Sequence, residues 1–160
     1  MSTSSVEIAL QFYRAFDNRN IEQALALLAP NFVAHMAGLP EPCDRETFKQ
    51  FGLQFYHAFP DGKHEFVQVV TEANKIVTCG SFTGTHQGKL QGMPPTGKPV
   101  TFSIMHLDRI ENGKIIEHWG QGDLFSLMQQ LGIISLPGPA LIASILKNAL
   151  TNRFPTRHLT

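Results

Sequence analysis

The 160-residue chain is poor in charge, in cysteine and in long apolar runs. Thirteen Lys and Arg balance thirteen Asp and Glu, and charged residues make up only 16%. Nucleic acid is therefore not expected as a partner, because its binding needs a concentrated positive field. Two cysteines, Cys43 and Cys79, make neither a disulfide framework nor a metal-like spacing. Apolar stretches are broken by polar residues within a few positions, so no transmembrane segment is expected. The opening MSTSSVEIAL lacks the basic start and apolar run of a signal peptide, and a cytoplasmic location with reduced thiols is expected. No histidine pair with a carboxylate has H-x-x-x-H spacing, so no metal is expected. No glycine-rich phosphate loop follows a strand, and no Ser or Cys sits in a nucleophile motif. No cofactor is expected on these grounds.

Aromatic content is lopsided: twelve Phe, two Tyr and one Trp. Phenylalanine fills volume without offering a hydrogen bond, which suits a core or the wall of an apolar pocket. Helical spacing comes first along the chain. SSVEIALQFYRAFDNRN carries Val6, Leu10, Tyr13 and Phe16 at helical intervals, with Ser4 and Glu7 spaced as a capping box. NIEQALALLAP starts at a cap, Asn20, and is expected to stop at Pro30. DRETFKQFGLQFYHAFP has Asp44 as cap and Phe48, Phe51, Phe55 and Phe59 as an aromatic stripe. NFVAHMAG reads as a short strand or an irregular pocket rim.

Strand signals follow. HEFVQVVTEA and KIVTCGSFTGTH meet at Asn74. PVTFSIMHLDRI and KIIEHWGQ flank Asn112-Gly113, a strong signal for a two-residue hairpin turn. A last helix, DLFSLMQQLG, closes at Gly132. Helices followed by an antiparallel sheet define an α+β domain, here residues 1–134. Residues 135–160 read as an extension. Leu141, Ile142, Ile145, Leu146, Ala149 and Leu150 form an amphipathic stripe there, and Lys147, Arg153, Arg157 and His158 make its end basic. Docking of that helix on the domain or on a second subunit is expected, with a membrane-surface or partner helix as the alternative.

A regular hairpin fixes the faces of its strands. It pairs Glu111 with Lys114, Asp108 with Glu117, His106 with Trp119, Ile104 with Gln121 and Phe102 with Asp123. The face carrying Val100, Phe102, Ile104, His106, Ile110, Ile115 and Trp119 is the more apolar, and His106, Gln121 and Asp123 are its polar members. His118 falls on the opposite face. His106 and Asp123 lie about 13 Å apart in this register. Gly120 and Gly122 either end the strand or aim Asp123 into a cavity, and Asp123 also stands where an N-cap for the last helix belongs.

FVAH (32–35), FTGTHQGKLQGMPPTGKPVTF (82–102), RIENGKIIEHWGQGD (109–123) and QQLG (129–132) together resemble the SnoaL-like polyketide cyclases, also labelled ester cyclases, of the NTF2-like superfamily. The resemblance covers roughly residues 5–134. It implies a cone-shaped α+β barrel with three N-terminal helices packed on a curved, mostly antiparallel sheet around a hydrophobic pocket, and a homodimer. It also implies cofactor-independent aldol ring closure of a small, apolar, polyketide-like carbonyl substrate. Asp123 matches the family's acid/base aspartate, in an apolar cavity that would raise its pKa. His35 and His86 match pocket positions, whereas His106 departs from the family pattern. The candidate site is thus Asp123 and His106 as catalytic groups, with His35, His86, Trp119, Gln121, Phe102 and Phe55 against the substrate. A pocket that binds an apolar ligand without reaction, or an isomerase or hydrolase on the same frame, is the alternative.

Overall fold

The computed structural model describes residues 4–135 and 138–151. Its elements are α1 (Ser5–Asp17), α2 (Ile21–Ala26), β1 (Leu28–Met36), β2 (Cys43–Asp44), α3 (Arg45–Ala58), β3 (Lys63–Glu72), β4 (Lys75–Thr85), β5 (Pro99–Glu111), β6 (Lys114–Gly122), α4 (Leu124–Leu131) and α5 (Pro139–Thr151). Capping works as the sequence indicates. Ser4, Asn20 and Asp44 each accept a hydrogen bond from the backbone N–H three residues on. The second helix ends at Ala26, four residues before Pro30, because the chain turns there into β1. The segment expected as a short strand or rim is that nine-residue strand, and Pro30 lies within it.

Six strands form one sheet in the order β2-β1-β6-β5-β4-β3, open at both edges rather than closed into a barrel. All pairs are antiparallel except β1 with β6. The inner face is lined by alternate residues of β5, Val100, Phe102, Ile104, His106, Asp108 and Ile110, all buried. Helix α1 lays Ile8, Phe12, Tyr13 and Phe16 against this face. Phe12 contacts Phe16 edge-on at 5.1 Å between ring centres and stacks with Phe48 of α3 at 6.0 Å.

The β5–β6 hairpin departs from the regular register two pairs beyond its turn. Glu111 faces Lys114 and Ile110 faces Ile115, as a two-residue turn requires, with Asn112 and Gly113 both at positive φ. Arg109 then faces Glu117, so Ile116 is an extra residue, a β-bulge. A one-residue slip moves every later side chain to the other face. Asp108 therefore faces His118, Leu107 faces Trp119 and His106 faces Gly120. The expected inward position of Trp119 and outward position of His118 are both reversed.

A second irregularity lies between Phe66 and Gln68 of β3, opposite Gly80. A Cβ on Gly80 would come within 1.9 Å of the Glu65 carbonyl oxygen. In α5, Leu141, Ile142, Ile145 and Leu146 are exposed rather than docked on the domain. The side chains of Ala149 and Leu150 and the basic end at Arg153, Arg157 and His158 lie outside the described residues.

Replacing Gly80 with alanine forces the β3–β4 ladder apart at its bulge. The expected cost is about 3 kcal/mol, a melting temperature lower by roughly 6–12 °C. Thermal unfolding of Gly80→Ala checks this, and an unchanged midpoint contradicts the close approach.

Candidate active site

A cavity of about 130 Å³ opens between α1, α3 and the inner face of the sheet. Its walls are Phe16, Phe48, Phe51, Phe55, Phe82 and Phe102, and three histidines line it: His64, His106 and His118. This volume is close to what one benzene-sized ring fills, so a larger ligand would insert only its reacting end. Leu124 and Gln121, both exposed, border the opening.

His118 is held from behind. Its Nδ1 donates to Asp108 Oδ1 at 2.8 Å, and the Tyr13 hydroxyl donates to Asp108 Oδ2 at 2.6 Å. Asp108 is fully buried and the His118 side chain is 3% exposed. Two donors satisfy the carboxylate, which is the condition for keeping a charge in the interior. Burial, then the charge of Asp108, pushes the Tyr13 hydroxyl well above its ordinary pKa, so it stays a donor. With Nδ1 committed, Nε2 is the free nitrogen of His118. A Cβ on Gly120 would sit 2.9 Å from that Nε2 and 3.1 Å from Met36 Sδ. The glycine keeps the approach to Nε2 open.

His106 stacks on the Tyr13 ring at 4.8 Å and lies 5.4 Å from the His118 ring. Its Nδ1 is buried with no hydrogen-bond partner among the described residues. Burial, reinforced by His118 and His64, holds its pKa well below 6.5, so it is neutral at pH 7. On its other side stands His64, at 5.6 Å between ring centres. His64 Nδ1 bonds Asp17 Oδ1 at 2.7 Å, and the Tyr56 hydroxyl bonds the same oxygen at 2.7 Å.

The residues singled out from the sequence are dispersed by this geometry. His106, Phe55 and Phe102 line the cavity, and Gln121 borders it. Asp123 lies outside the cavity lining: it is exposed, and its Oδ1 accepts from the Ser126 N–H at 2.8 Å as the N-cap of α4. Trp119 is 43% exposed on the outer face, where it stacks on His35 at 3.6 Å. Both belong to an outer cluster in which Glu117 takes bonds from Arg109 and Trp119 and pairs with His35. His86 is buried away from the cavity, where the Thr96 N–H bonds its Nδ1 at 3.2 Å and anchors the loop before β5. Sequence reasoning missed His118, Asp108, Tyr13 and Asp17 as site residues and took His64 for solvated surface, whereas it lines the cavity. Alternation with His106 already puts Asp108 on the inner face, whereas His118 arrives there only through the bulge at Ile116, which no residue type marks.

Among the described residues no group of His, Cys, Asp or Glu is arranged to hold a metal ion, and no helix is long and apolar enough to cross a membrane.

Comparison with known proteins agrees with this architecture. The family model for the SnoaL-like polyketide cyclase matches residues 7–131, and the chain belongs to that family. It is 30% identical over 109 residues to the aklanonic acid methyl ester cyclase DnrD of Streptomyces peucetius, covering 68% of this chain and 73% of that one. It is 43% identical over 49 residues to the nogalonic acid methyl ester cyclase of Streptomyces nogalater, covering 31% of this chain and spanning only 37% of that relative's length. Among solved structures, IdmH of Streptomyces antibioticus, proposed to be a polyketide cyclase, superimposes with a TM-score of 0.74 at 28% identity, covering 81% of this chain and 99% of that one. AclR of Streptomyces galilaeus, proposed to be a hydroxylase, gives 0.81 at 22% identity over 95% of this chain and 96% of that one, which is a likeness of fold. Membership of the family supports a cyclase-type function.

Two outcomes follow from the geometry. In the folded state His106 binds its proton below the unfolded value of about 6.5, so the unfolded chain takes up more protons as pH falls. Stability should therefore decline from about pH 6.5 downward, and His106→Phe should flatten that decline in pH-dependent denaturation. An unaltered slope contradicts a neutral, buried His106. Asp123→Ala should lower stability by about 1 kcal/mol through loss of the cap. An unchanged unfolding midpoint in Asp123→Ala contradicts the cap.

Proposed function

We propose that this chain is a cofactor-independent cyclase that closes a ring by aldol chemistry, with His118 rather than Asp123 as the base. The buried Asp108–His118 hydrogen bond at the wall of an otherwise apolar cavity carries this reading. A carbonyl compound enters with its reacting end between the phenylalanines. His118 Nε2 takes a proton from the carbon next to the carbonyl. Asp108 fixes the ring orientation and stabilises the imidazolium that forms, and Tyr13 fixes Asp108. His106, neutral, offers the enolate oxygen a hydrogen bond. Phe55 and Phe102 hold the flat apolar body, and Gln121 meets its polar edge at the opening. A low-dielectric wall strengthens each of these interactions over its value in water.

The sheet's outer face carries Val33, Met105 and Trp119 exposed, and this apolar strip supports a homodimer. Residues 1–134 form the catalytic domain in this reading, and 135–160 an extension of it. The methyl esters named for the Streptomyces cyclases are the first substrates to try. On aklanonic acid methyl ester, His118→Gln should lose about 10²–10⁴-fold in kcat, the usual weight of a positioned general base, with a melting temperature within a few degrees of the parent. Undiminished turnover by that variant would refute His118 as the base. Light scattering that gives a monomer at micromolar concentration would refute the dimer.

A further inference from the structure

Helix α1 supports two hydrogen-bonded relays, and the proposed base uses only one. Tyr13 and Asp17 are four residues apart on α1, one turn, and project from the same face. Tyr13 reaches across to Asp108 and His118. Asp17 receives the Tyr56 hydroxyl at 2.7 Å, the His64 backbone N–H at 3.0 Å and His64 Nδ1 at 2.7 Å. The second relay, Tyr56–Asp17–His64, thus repeats the tyrosine–aspartate–histidine order of the first. Arg19 stacks over the Tyr56 ring at 4.3 Å and braces it. Burial alone would raise the Asp17 pKa, but the bonds and charge from His64, with Tyr56, outweigh it and hold the carboxyl below its ordinary range. His64 therefore has an ionised partner. Both relays end at the cavity, on either side of His106, which has no carboxylate.

We propose that His64 is a second proton-transfer station, the acid that protonates the alkoxide formed on ring closure. The inference rests on the cyclase reading and adds a residue to it. An aldol closure moves two protons at two places. The C–H bond next to the first carbonyl breaks, its proton goes to His118 Nε2, and the pair stays as the enolate. The enolate carbon bonds to the second carbonyl carbon, whose π pair moves to oxygen. That alkoxide takes a proton from Nε2 of a His64 imidazolium, leaving the neutral ring with its Nδ1–H still donated to Asp17. His118 then loses its proton and His64 regains one through water at the opening, so the cycle balances. The division of roles follows exposure. The His118 side chain is 3% exposed, while that of His64 is 13% exposed and can be recharged by solvent. In the closing conformer the acidic carbon and the accepting carbonyl carbon are in contact, and the substrate lies across His106 with the abstracted proton toward His118 and the new alkoxide toward His64.

Proton removal and ring closure can be measured apart. Aklanonic acid methyl ester in D₂O reports deuterium uptake at the acidic carbon by mass spectrometry and closure by chromatography. With wild type, both should proceed. His64→Gln should keep deuterium uptake within about threefold of wild type while closure falls about 10²-fold, the scale of a lost general acid. His118→Gln should lose both. Closure unchanged in His64→Gln, or uptake and closure falling together, overturns the second station and leaves His118 as base intact. Should His64→Gln fail to fold, Tyr56→Phe carries the test, with the same imbalance at smaller amplitude expected and an unaltered ratio overturning it. A wild-type chain that shows neither uptake nor closure removes the cyclase reading and this inference with it.

Discussion

The hydrogen bond between Asp108 and His118 depends on one inserted residue. Ile116 has no partner across the β5–β6 hairpin, and the strand beyond it is turned over. Without that bulge His118 would face Leu107 on the outer face, and Trp119 would face His106 in the core. With it, a charged carboxylate and an imidazole face each other in the interior, and the bulky indole leaves room for a cavity. Bulges serve to re-aim side chains in this way.

Helix α1 completes what the bulge begins. A buried carboxylate with a single donor would be costly, and the Tyr13 hydroxyl supplies the second bond to Asp108. The same helix, one turn later, brings Asp17 to His64. Sheet and helix are tied together through polar groups set within an aromatic shell, so the cavity's chemistry and the fold's docking share the same atoms. Gly120 is the complementary element. By presenting no side chain beside His118 Nε2, it converts a buried histidine into an accessible one.

The architecture was legible in the sequence because local signals agreed with one another. Caps at Ser4, Asn20 and Asp44, the Asn112-Gly113 turn and the β-branched runs all favoured the elements that form. The first two hairpin pairs, Glu111 with Lys114 and Ile110 with Ile115, were readable from turn geometry. The site was not, since alternation propagates any single slip to every later residue. His106 lies before the bulge on β5 and stayed on the expected face; His118 and Trp119 lie after it and exchanged faces. Asp17 and His64 are 47 residues apart in the chain, and no periodicity relates them. Asp123 answered two local patterns at once, a family aspartate and a helix cap, and its observed hydrogen bond is the cap.

The central claim is that His118 points inward with Nδ1 bound to Asp108 and Nε2 free. Nitrogen-15 NMR of histidine-labelled protein near neutral pH reads this directly, because protonated and bare ring nitrogens resonate far apart. The account requires His118 to show a protonated Nδ1 and a bare Nε2, a tautomer that reverts toward the ordinary mixture in Asp108→Asn. A His118 signal with the proton on Nε2, or with the averaged shifts of a freely solvated ring, would contradict it.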